Sequence, residues 1–267
     1  MNRDALNALD QTIAIARERK RGPVAIVGVA GPQGSGKTTL VRAYVSAHPG
    51  VAHFSLDDVY LRKRDRQKLA HEVHPLFATR GPPGTHDIQL LNETLTALES
   101  AQPDWQVALP AFDKVSDDRI PGERWPVFRG RPDVILVDGW CIGAIAQDAE
   151  ALDRPVNKLE MNEDVAGTWR RHANAQLGWD YRIAFARLDA ILHMRAPGFD
   201  IIQEWRCQQE EGLLGRALTP ADRDRIGHFI QHYERITRNM MDGGRRADVE
   251  VQLDTRRNVT EVKRIGA

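Results

Sequence analysis

One eight-residue segment, Gly31 to Thr38, constrains what this chain can fold into more than any other. It reads G-P-Q-G-S-G-K-T, which is an unbroken G-x-x-x-x-G-K-[ST] pattern. Small residues let successive backbone N–H groups wrap a phosphate, and a helix that begins near Gly36 points the positive end of its dipole at the same anion. Lys37 can then reach the β- and γ-phosphates, and the Thr38 hydroxyl can bind Mg²⁺. The segment therefore predicts a loop that binds the phosphates of a nucleotide.

The segments on either side of this loop match what the pattern requires. Val24 to Ala30 is a nearly continuous apolar run rich in β-branched residues, which is typical of a strand buried on both faces. A helix from about Gly36 to His48 and a second strand, Val51 to Leu56, follow, and this alternation indicates an α/β fold. The alternative is a glycine-rich turn that binds no ligand, and no G-x-G-x-x-G pattern for a dinucleotide occurs here. The residues predicted to bind the nucleotide are Gly31, Gln33, Gly34, Ser35, Gly36, Lys37, Thr38 and Thr39.

The remaining periodicities predict a single domain over residues 1–267, with a mostly parallel sheet of about five strands and helices on both faces. An amphipathic helix within residues 1–22 precedes the first strand. The other predicted strands are Val107 to Pro110, Val134 to Val137 and Ala190 to Met194, with edge strands at Val249 to Leu253 and Val259 to Val262. The other predicted helices are Asp87 to Leu98, Glu163 to Leu188, Asp200 to Leu214 and one that begins after Thr219.

Residues 112–132 separate the third and fourth predicted strands and are dense in Asp, Arg, Gly and Pro. Loops longer than about 15 residues inside a compact domain are usually functional or disordered. The segment is therefore predicted to be a long loop that contacts a substrate.

An acidic residue follows the strand predicted at Val134 to Val137. Ligands of open α/β sheets lie outside the carboxyl ends of the strands, so Asp138 is expected beside the phosphate loop. There it could hold Mg²⁺ directly or through water. The alternative is an aspartate that only caps the next turn.

Two adjacent carboxylates, Asp57 and Asp58, follow the second strand. Such a pair is costly to bury and its members repel each other, so it needs a cation, a metal ion or a hydroxyl donor. A kinase needs one such carboxylate to take the proton from the hydroxyl that attacks the γ-phosphoryl group. Tyr60, two residues further on, could donate to the acceptor or could only pack. A solvated surface pair of acids remains the alternative reading.

The composition of the chain bears mainly on its binding partners and on the cellular compartment in which it is found. The 37 basic and 37 acidic residues give a formal net charge of zero, which argues against binding to nucleic acid or to a membrane surface. Two cysteines, Cys141 and Cys207, form no disulfide framework or zinc-site spacing, so a reducing compartment is expected. The first residues lack the features of a signal peptide, and no apolar run reaches the roughly 18 residues of a membrane helix. A cytoplasmic protein is therefore expected, and its oligomeric state is left open.

Several longer segments resemble a known family of enzymes. In chain order they are SLDDVYL (Ser55 to Leu61), RGPPGTHD (Arg80 to Asp87), LPAFDKVSDDR (Leu109 to Arg119), VDGW (Val137 to Trp140) and EWRCQQE (Glu204 to Glu210). Together they resemble the characteristic sequence motifs of the plant and fungal type of D-glycerate 3-kinase. That family is similar in turn to the uridine kinase, phosphoribulokinase and pantothenate kinase group of P-loop kinases. The resemblance covers roughly residues 24–233, and its second and last segments are more particular than the phosphate loop.

The resemblance implies roles for individual residues. Asp57 matches the acid that serves as general base, with Asp58 as its neighbour. Arg206 falls where related kinases carry arginines that close on the phosphates, within a lid region at about residues 196–218. ATP and Mg²⁺ are implied in the same way, although related kinases usually have Glu-Gly where this chain has Asp138 and Gly139. The residues that the resemblance assigns to the acceptor loops are Arg80, His86, Asp87, Lys114 and Arg119.

The chemistry of the acceptor can also be considered from the residues. The carboxylate of a small hydroxy acid is held best by arginine, and Arg80 and Arg119 lie in suitable segments. A nucleoside would favour aromatic stacking, and aromatic residues make up only 6% of the chain. We therefore expect transfer of the ATP γ-phosphoryl group to a hydroxyl of a small acid, by resemblance D-glycerate. The alternatives are another acceptor (a nucleoside, pantothenate or a sugar acid) or a P-loop ATPase that acts as a partner-regulated assembly factor.

Overall fold

The computed structural model describes residues 3–265, so the first two and last two residues of the predicted domain lie outside the described part. The α-helices are α1 (Arg3–Arg19), α2 (Lys37–Ala47), α3 (Lys63–Glu72), α4 (Ile88–Ser100), α5 (Lys158–Glu163), α6 (Thr168–Gln176), α7 (Arg182–Phe185), α8 (Asp200–Leu214) and α9 (Pro220–Met241). The strands are β1 (Ala25–Ala30), β2 (Val51–Ser55), β3 (Gln106–Ala108), β4 (Phe112–Asp113), β5 (Asp118–Arg119), β6 (Val127–Arg129), β7 (Val134–Gly139), β8 (Ala190–Arg195), β9 (Val249–Leu253) and β10 (Val259–Arg264).

A six-stranded sheet with the order β10-β9-β8-β1-β7-β2 forms the centre of the fold. Its strands are parallel except β10, which pairs antiparallel with β9. In this register Asp138 of β7 pairs on one side with Val29 of β1 and on the other with Ser55 of β2. The segments that follow β1 and β2 therefore begin at the same edge of the sheet as Asp138, as the sequence predicted for an open α/β sheet.

Helices cover both faces of the sheet because alternate residues of each strand point to opposite sides. Val27 and Val29 belong to the core beneath α1, α2 and α8. Ile26 and Ala30 belong to the core beneath α4 and α7. Since both sets are buried, β1 is apolar along its whole length, and the predicted two-sided α/β architecture is confirmed.

Local hydrogen bonds set the starts of α4 and α9. Thr219 and Asp222 form a reciprocal capping box around the start of α9, and Pro220 is its first residue. The Asp87 carboxylate accepts a hydrogen bond from the Leu90 N–H at 2.9 Å and so begins α4. These interactions are made within three residues of the cap, which is why the sequence alone predicted both starts.

The composition of the sheet differs from the prediction in two respects. The strand predicted at Val107 to Pro110 is β3, which pairs only with β6 and lies outside the central sheet. The central sheet has six strands rather than about five because both predicted edge strands near the carboxyl terminus join it. Strand propensity does not specify a pairing partner, so the local pattern could not assign these strands to sheets.

The long helical region predicted from about Glu163 to Leu188 is present over residues 168–185, but its predicted start was wrong. The segment contains only the last residue of α5, then α6, a π-helical segment over residues 177–181, and α7. The buried Asp164 carboxylate accepts hydrogen bonds from the N–H groups of Trp169 and Arg170, at 2.9 and 3.1 Å, and so begins a new helix. Gly167, whose φ is +73°, provides the turn that a continuous helix would not allow.

The prediction of a long loop over residues 112–132 was wrong in part. It contains the β4–β5 hairpin, a 3₁₀ turn over residues 122–124, and β6. The guanidinium of Arg66, which is fully buried, donates to the carbonyl oxygen of Asp117 at 2.7 Å and anchors the hairpin. Within residues 3–265, no helix combines the length and the apolar character needed to cross a membrane.

Candidate active site

The phosphate loop is shaped by glycines at which a side chain would collide with its surroundings. Gly34 and Gly36 have positive φ angles of 72° and 92°. A Cβ at Gly34 would lie 2.7 Å from the Cβ of Trp205 and 2.9 Å from its carbonyl oxygen. A Cβ at Gly31 would lie 2.9 Å from the Ser35 hydroxyl. The backbone can therefore curl tightly only because these residues are glycines, and α8 packs directly against the loop.

Polar atoms of the loop are buried without a hydrogen-bond partner among the described residues. These atoms are the Ser35 hydroxyl and both amide heteroatoms of Gln33. Lys37 is also buried, and burial lowers its pKa although the carboxylates of Asp138 and Asp57 oppose that shift. An anion held by the loop would accept hydrogen bonds from the Ser35 hydroxyl and the Gln33 amide nitrogen and would supply a further counter-charge for Lys37, so these groups fit a nucleotide phosphate. Thr39 is exposed on α2, so its predicted contact with the nucleotide stays a prediction.

Asp138 and Thr38 fit a magnesium ion. Asp138 is fully buried, and one of its carboxylate oxygens accepts a hydrogen bond from the Thr38 hydroxyl at 2.8 Å. The other lies 2.8 Å from Nε2 of His53. Hydroxyl and carboxylate oxygens are the ligand types that Mg²⁺ prefers, and it is usually bound by one or two protein groups together with substrate phosphates. His53 was not predicted, although its position two residues before Ser55 in β2 could have placed both on the same face of the strand.

The two adjacent acids point in different directions. They lie in a 3₁₀ turn over residues 56–58 that directly follows β2. Asp57 accepts a hydrogen bond from the Tyr60 hydroxyl at 2.9 Å, and its other oxygen lies 3.4 Å from Nζ of Lys114. Asp58 instead turns back and accepts from the backbone N–H of Ser55 at 3.0 Å. Asp57 therefore faces the cations of the site, whereas Asp58 caps the turn.

The electrostatic surroundings of these acids differ accordingly. Burial alone would raise the pKa of Asp57, but the charges of Lys114 and Lys37 outweigh burial and lower it to about 2. Burial raises the pKa of Asp58 to about 6, and the negative charge of Asp57 adds to this effect. Asp57 is thus the carboxylate that stays ionised throughout the neutral range.

Aromatic side chains enclose the space next to Asp57. The rings of Tyr60 and His86 are stacked with their centroids 4.5 Å apart, and Phe112 meets Tyr60 edge-on at 5.3 Å. Nδ1 of His86 lies 2.6 Å from the Tyr181 hydroxyl. Tyr181 was not predicted because it lies 95 residues from His86 and in a segment predicted to be an ordinary helix.

Both arginines predicted to hold a carboxylate of the acceptor are already paired with carboxylates of the protein. Arg80 forms an ion pair with Asp117. Arg119 donates to the Asp87 carboxylate at 3.0 Å and to the Tyr60 carbonyl oxygen at 2.8 Å. A bound acid would have to share or replace these partners, so this role for the two arginines stays a prediction.

Arg206 of α8 lies near the same cluster. Its Nη2 pairs with Glu210 at 2.8 Å, whereas its Nη1 is buried and has no partner within residues 3–265. Burial and the charge of Asp57 raise the pKa of the Tyr233 hydroxyl, and the charges of Arg80 and Arg206 oppose that rise. The pKa of the Tyr233 hydroxyl is therefore affected by the charges of all three residues, Asp57, Arg80 and Arg206. Arg206 is about 150 residues from Asp57 in the sequence.

A further contact to the phosphate loop comes from Arg257, in the turn between β9 and β10. Its Nε donates to the Gly34 carbonyl oxygen at 2.5 Å, and its Nη1 donates to the Gln208 side chain at 2.8 Å. The guanidinium also lies 5.1 Å from the ring centroid of Trp205. The sequence offered no signal for Arg257, which is 223 residues from Gly34.

The chain was compared with known proteins. No family model matches it. The uncharacterized kinase mug58 of Schizosaccharomyces pombe is 28% identical over 225 residues, which cover 78% of each chain. The probable ATP-dependent kinase TDA10 of Saccharomyces cerevisiae is 30% identical over 227 residues, which cover 76% of this chain and 73% of that protein. The solved structure of a D-glycerate 3-kinase from Cryptococcus neoformans is 25% identical, covers 98% of both chains, and gives a TM-score of 0.79.

The fold, the phosphate loop and these relatives define the class of protein, which is a P-loop kinase that binds a nucleotide and acts on a small molecule. Within that class, the chain belongs to the same family as the probable ATP-dependent kinase TDA10, and it is similar over nearly its whole length to a D-glycerate 3-kinase. The family resemblance carried by the sequence motifs is therefore confirmed.

Proposed function

We propose that this protein transfers the γ-phosphoryl group of ATP to a hydroxyl of D-glycerate and forms 3-phosphoglycerate. The observation that carries the proposal is the ionised Asp57, held between Tyr60 and Lys114 at the sheet edge that also bears the Thr38–Asp138 pair. The nearly full-length likeness to a D-glycerate 3-kinase supports the choice of acceptor.

Asp57 is proposed to orient the acceptor hydroxyl and to receive its proton. As the bond between the acceptor oxygen and the γ-phosphorus forms, the bond from that phosphorus to the ADP oxygen breaks, and the hydroxyl proton passes to the Asp57 carboxylate. A pKa of about 2 keeps Asp57 ionised and ready to accept a hydrogen bond from the hydroxyl. Because the transition state of phosphoryl transfer is loose, positioning of the hydroxyl contributes more than the strength of the base.

Cations surround the position of the transferred group. Lys37 and Arg206 are proposed to neutralise charge on the phosphoryl oxygens, which suits a buried ammonium and a guanidinium with a buried Nη1 that has no partner among residues 3–265. Mg²⁺, held by Thr38 and Asp138 together with the phosphates, would supply further stabilisation of that charge. The lid region at about residues 196–218 would bring Arg206 to the phosphates.

Lys114 is proposed to pair with the carboxylate of the acceptor. It is more than half exposed, and its contact with Asp57 at 3.4 Å is long for a hydrogen bond between charged groups. It can therefore leave Asp57 for a second carboxylate at little cost. Asp58, Tyr60, Arg80, Asp87 and Arg119 are proposed to shape the same site, with residues 112–132 as the acceptor loop of a single cytoplasmic domain.

The proposal is tested by ³¹P NMR of the purified protein with Mg-ATP and D-glycerate. Parallel samples contain uridine, pantothenate or no acceptor. We expect a phosphomonoester signal that appears only with glycerate. Phosphorylation of another acceptor would retain the kinase mechanism and reject glycerate as the substrate. Inorganic phosphate alone in every sample would reject the proposal and favour an ATPase that is regulated by a protein partner.

A further inference from the structure

Asp138 is a buried carboxylate whose two oxygens are both held by side chains. The Thr38 hydroxyl donates to Oδ2 at 2.8 Å, and Nε2 of His53 lies 2.8 Å from Oδ1. An ionised carboxylate only accepts hydrogen bonds, so Nε2 of His53 carries a proton and donates it to this bond. Burying a carboxylate is costly unless donors satisfy it, and these two groups satisfy one oxygen each.

The register of the sheet brings His53 to this carboxylate. His53 pairs with Leu136 of β7, and Ser55 pairs with Asp138. Because side chains alternate along a strand, His53 and Ser55 lie on the same face of the sheet as Asp138. The Ser55 hydroxyl donates to the Asp138 carbonyl oxygen at 3.1 Å and fixes the backbone there. β2 is an edge strand, so His53 holds Asp138 from the outer side of the sheet.

The hydrogen bond from His53 fixes which oxygen of Asp138 meets Thr38. The carboxylate of an aspartate can rotate about its terminal bond and exchange its two oxygens. His53 on Oδ1 opposes this rotation and keeps Oδ2 on the Thr38 hydroxyl. The Thr38 proton is thereby directed at Asp138, which leaves lone pairs of the Thr38 oxygen available to a cation. Partners that hold a metal-binding group in this way usually change metal affinity when they are removed.

We infer that His53 is a positioning residue of the magnesium site: its Nε2–H group holds the Asp138 carboxylate in the orientation in which Asp138 and Thr38 act on the ion. The inference rests on the proposed function, because that function includes Mg²⁺ held by these two residues together with the nucleotide phosphates. It adds to the site a residue that acts only through Asp138. His53 therefore sets how strongly Mg²⁺ tightens the binding of the nucleotide.

The Mg²⁺ dependence of nucleotide binding measures this role. Isothermal titration gives the Kd of a non-hydrolysable ATP analogue in EDTA and in saturating Mg²⁺, and the ratio of the first to the second is the Mg²⁺ factor. We expect His53→Asn to lower this factor by about tenfold or more, because the asparagine N–H₂ takes the place of Nδ1 and does not reach Asp138. His53→Gln, whose N–H₂ takes the place of Nε2, should keep most of the factor.

Two controls separate positioning from a general loss of structure. His71 is exposed on α3, so His71→Asn should leave the Mg²⁺ factor unchanged. Asp138→Asn removes the charge that His53 positions, so His53→Asn should not lower the factor further in that background. An equal effect of His53→Asn in both backgrounds would overturn the inference. A merely structural role would lower Tm in both His53 variants without ligand and leave the factor unchanged.

The titrations contain no acceptor, so their outcome is independent of the acceptor that the enzyme phosphorylates. Phosphorylation of D-glycerate in ³¹P NMR, together with equal Mg²⁺ factors in the wild type and His53→Asn, would overturn the inference and leave the proposed function intact. Failure of every acceptor, together with a factor that falls in His53→Asn and is kept in His53→Gln, would reject the proposed reaction and support the role of His53. A wild type whose nucleotide affinity does not depend on Mg²⁺ would reject the magnesium site and this role together.

Discussion

At the scale of single residues, the site depends on a difference between two neighbouring aspartates. Asp57 and Asp58 share a side-chain type and a short 3₁₀ turn, yet one faces Lys114 and the other caps Ser55. The turn rotates successive side chains away from each other, so only one of the pair can face the phosphate loop. The pKa values of the two carboxyl groups consequently move in opposite directions.

Replacing Asp57 by Asn is expected to lower kcat by a factor of about 10² to 10⁴, the usual contribution of a positioned acid or base. The amide keeps the size of the side chain and its hydrogen bond from Tyr60, so KM for ATP should change less than twofold. Steady-state kinetics with a coupled ADP assay would measure both constants. Near-normal turnover in this variant would show that Asp57 is not the base.

Asp58→Asn replaces the neighbouring carboxylate in the same way, and it yields a prediction about stability. The pKa of Asp58 in the folded protein, about 6, lies above its ordinary value of 3.8, so the folded state favours the protonated form. The stabilisation from this group is present below about pH 4 and is lost as the pH rises through about 6. Asn cannot ionise and still accepts a hydrogen bond from the Ser55 N–H.

We therefore expect Asp58→Asn to match the wild type in free energy of unfolding at pH 4 and to exceed it by on the order of 1 kcal/mol at pH 7. Urea denaturation at the two pH values would measure the difference. A variant that is less stable than the wild type at pH 7 would contradict this account of Asp58. The kcat of this variant should fall less than that of Asp57→Asn, because Asp58 caps the turn and does not face the cations of the site.

At the scale of elements, α8 and the phosphate loop form one packed unit. The backbone of Trp205 in α8 fills the space that a side chain at Gly34 would need, and Arg257 links both to the β9–β10 turn. The hydrogen bond from Arg257 to the Gly34 carbonyl oxygen fixes the orientation of that peptide group. Arg206 follows Trp205 in α8, so this packing places its backbone next to the phosphate loop.

Arg257→Ala is expected to raise KM for ATP by about tenfold, because the peptide after Gly34 is no longer held in the orientation that binds phosphate. Isothermal titration with a non-hydrolysable ATP analogue would measure the loss of affinity directly. Arg256 is exposed in the same turn, so Arg256→Ala is a control for the removal of one positive charge. Equal affinities of the two variants would reject a specific role for Arg257.

The elements themselves were predictable to different degrees. The strand before the phosphate loop and the starts of α4 and α9 follow from patterns within a few residues, and the structure agrees with them. The start predicted at Glu163 for the following helical region was wrong, because the buried carboxylate of Asp164 begins a new helix at Thr168. Its apolar spacing resembles that of one long helix, and spacing alone does not show where a buried polar group interrupts it.

At the scale of the whole molecule, the proposed nucleotide site joins three strands of the central sheet. β1 leads into the phosphate loop, β7 supplies Asp138, and β2 leads to the acidic turn. A ligand bound to all three segments must stabilise the folded chain, because the unfolded chain does not bring them together.

A non-hydrolysable ATP analogue with Mg²⁺ is accordingly expected to raise Tm by several degrees. A ligand at a hundred times its Kd adds about 2.7 kcal/mol to the free energy of unfolding, and 1 kcal/mol corresponds to about 2–4 °C for a chain of this size. Differential scanning calorimetry would measure the shift. Removal of Mg²⁺ with EDTA should reduce it if Asp138 and Thr38 hold the ion, and an equal shift with and without Mg²⁺ would contradict that assignment.

The sequence by itself determined the phosphate loop, the α/β class, the family, and the presence of acids at the ends of two neighbouring strands. These features depend on local steric and hydrogen-bonding rules, which act between residues close together in the chain. Only the tertiary structure decided that Asp57 rather than Asp58 faces the cations, that Arg80 and Arg119 are paired with carboxylates, and that Tyr181 and Arg257 support the site. Each of those outcomes depends on which distant side chain comes within hydrogen-bonding distance, and packing of the whole chain sets that distance.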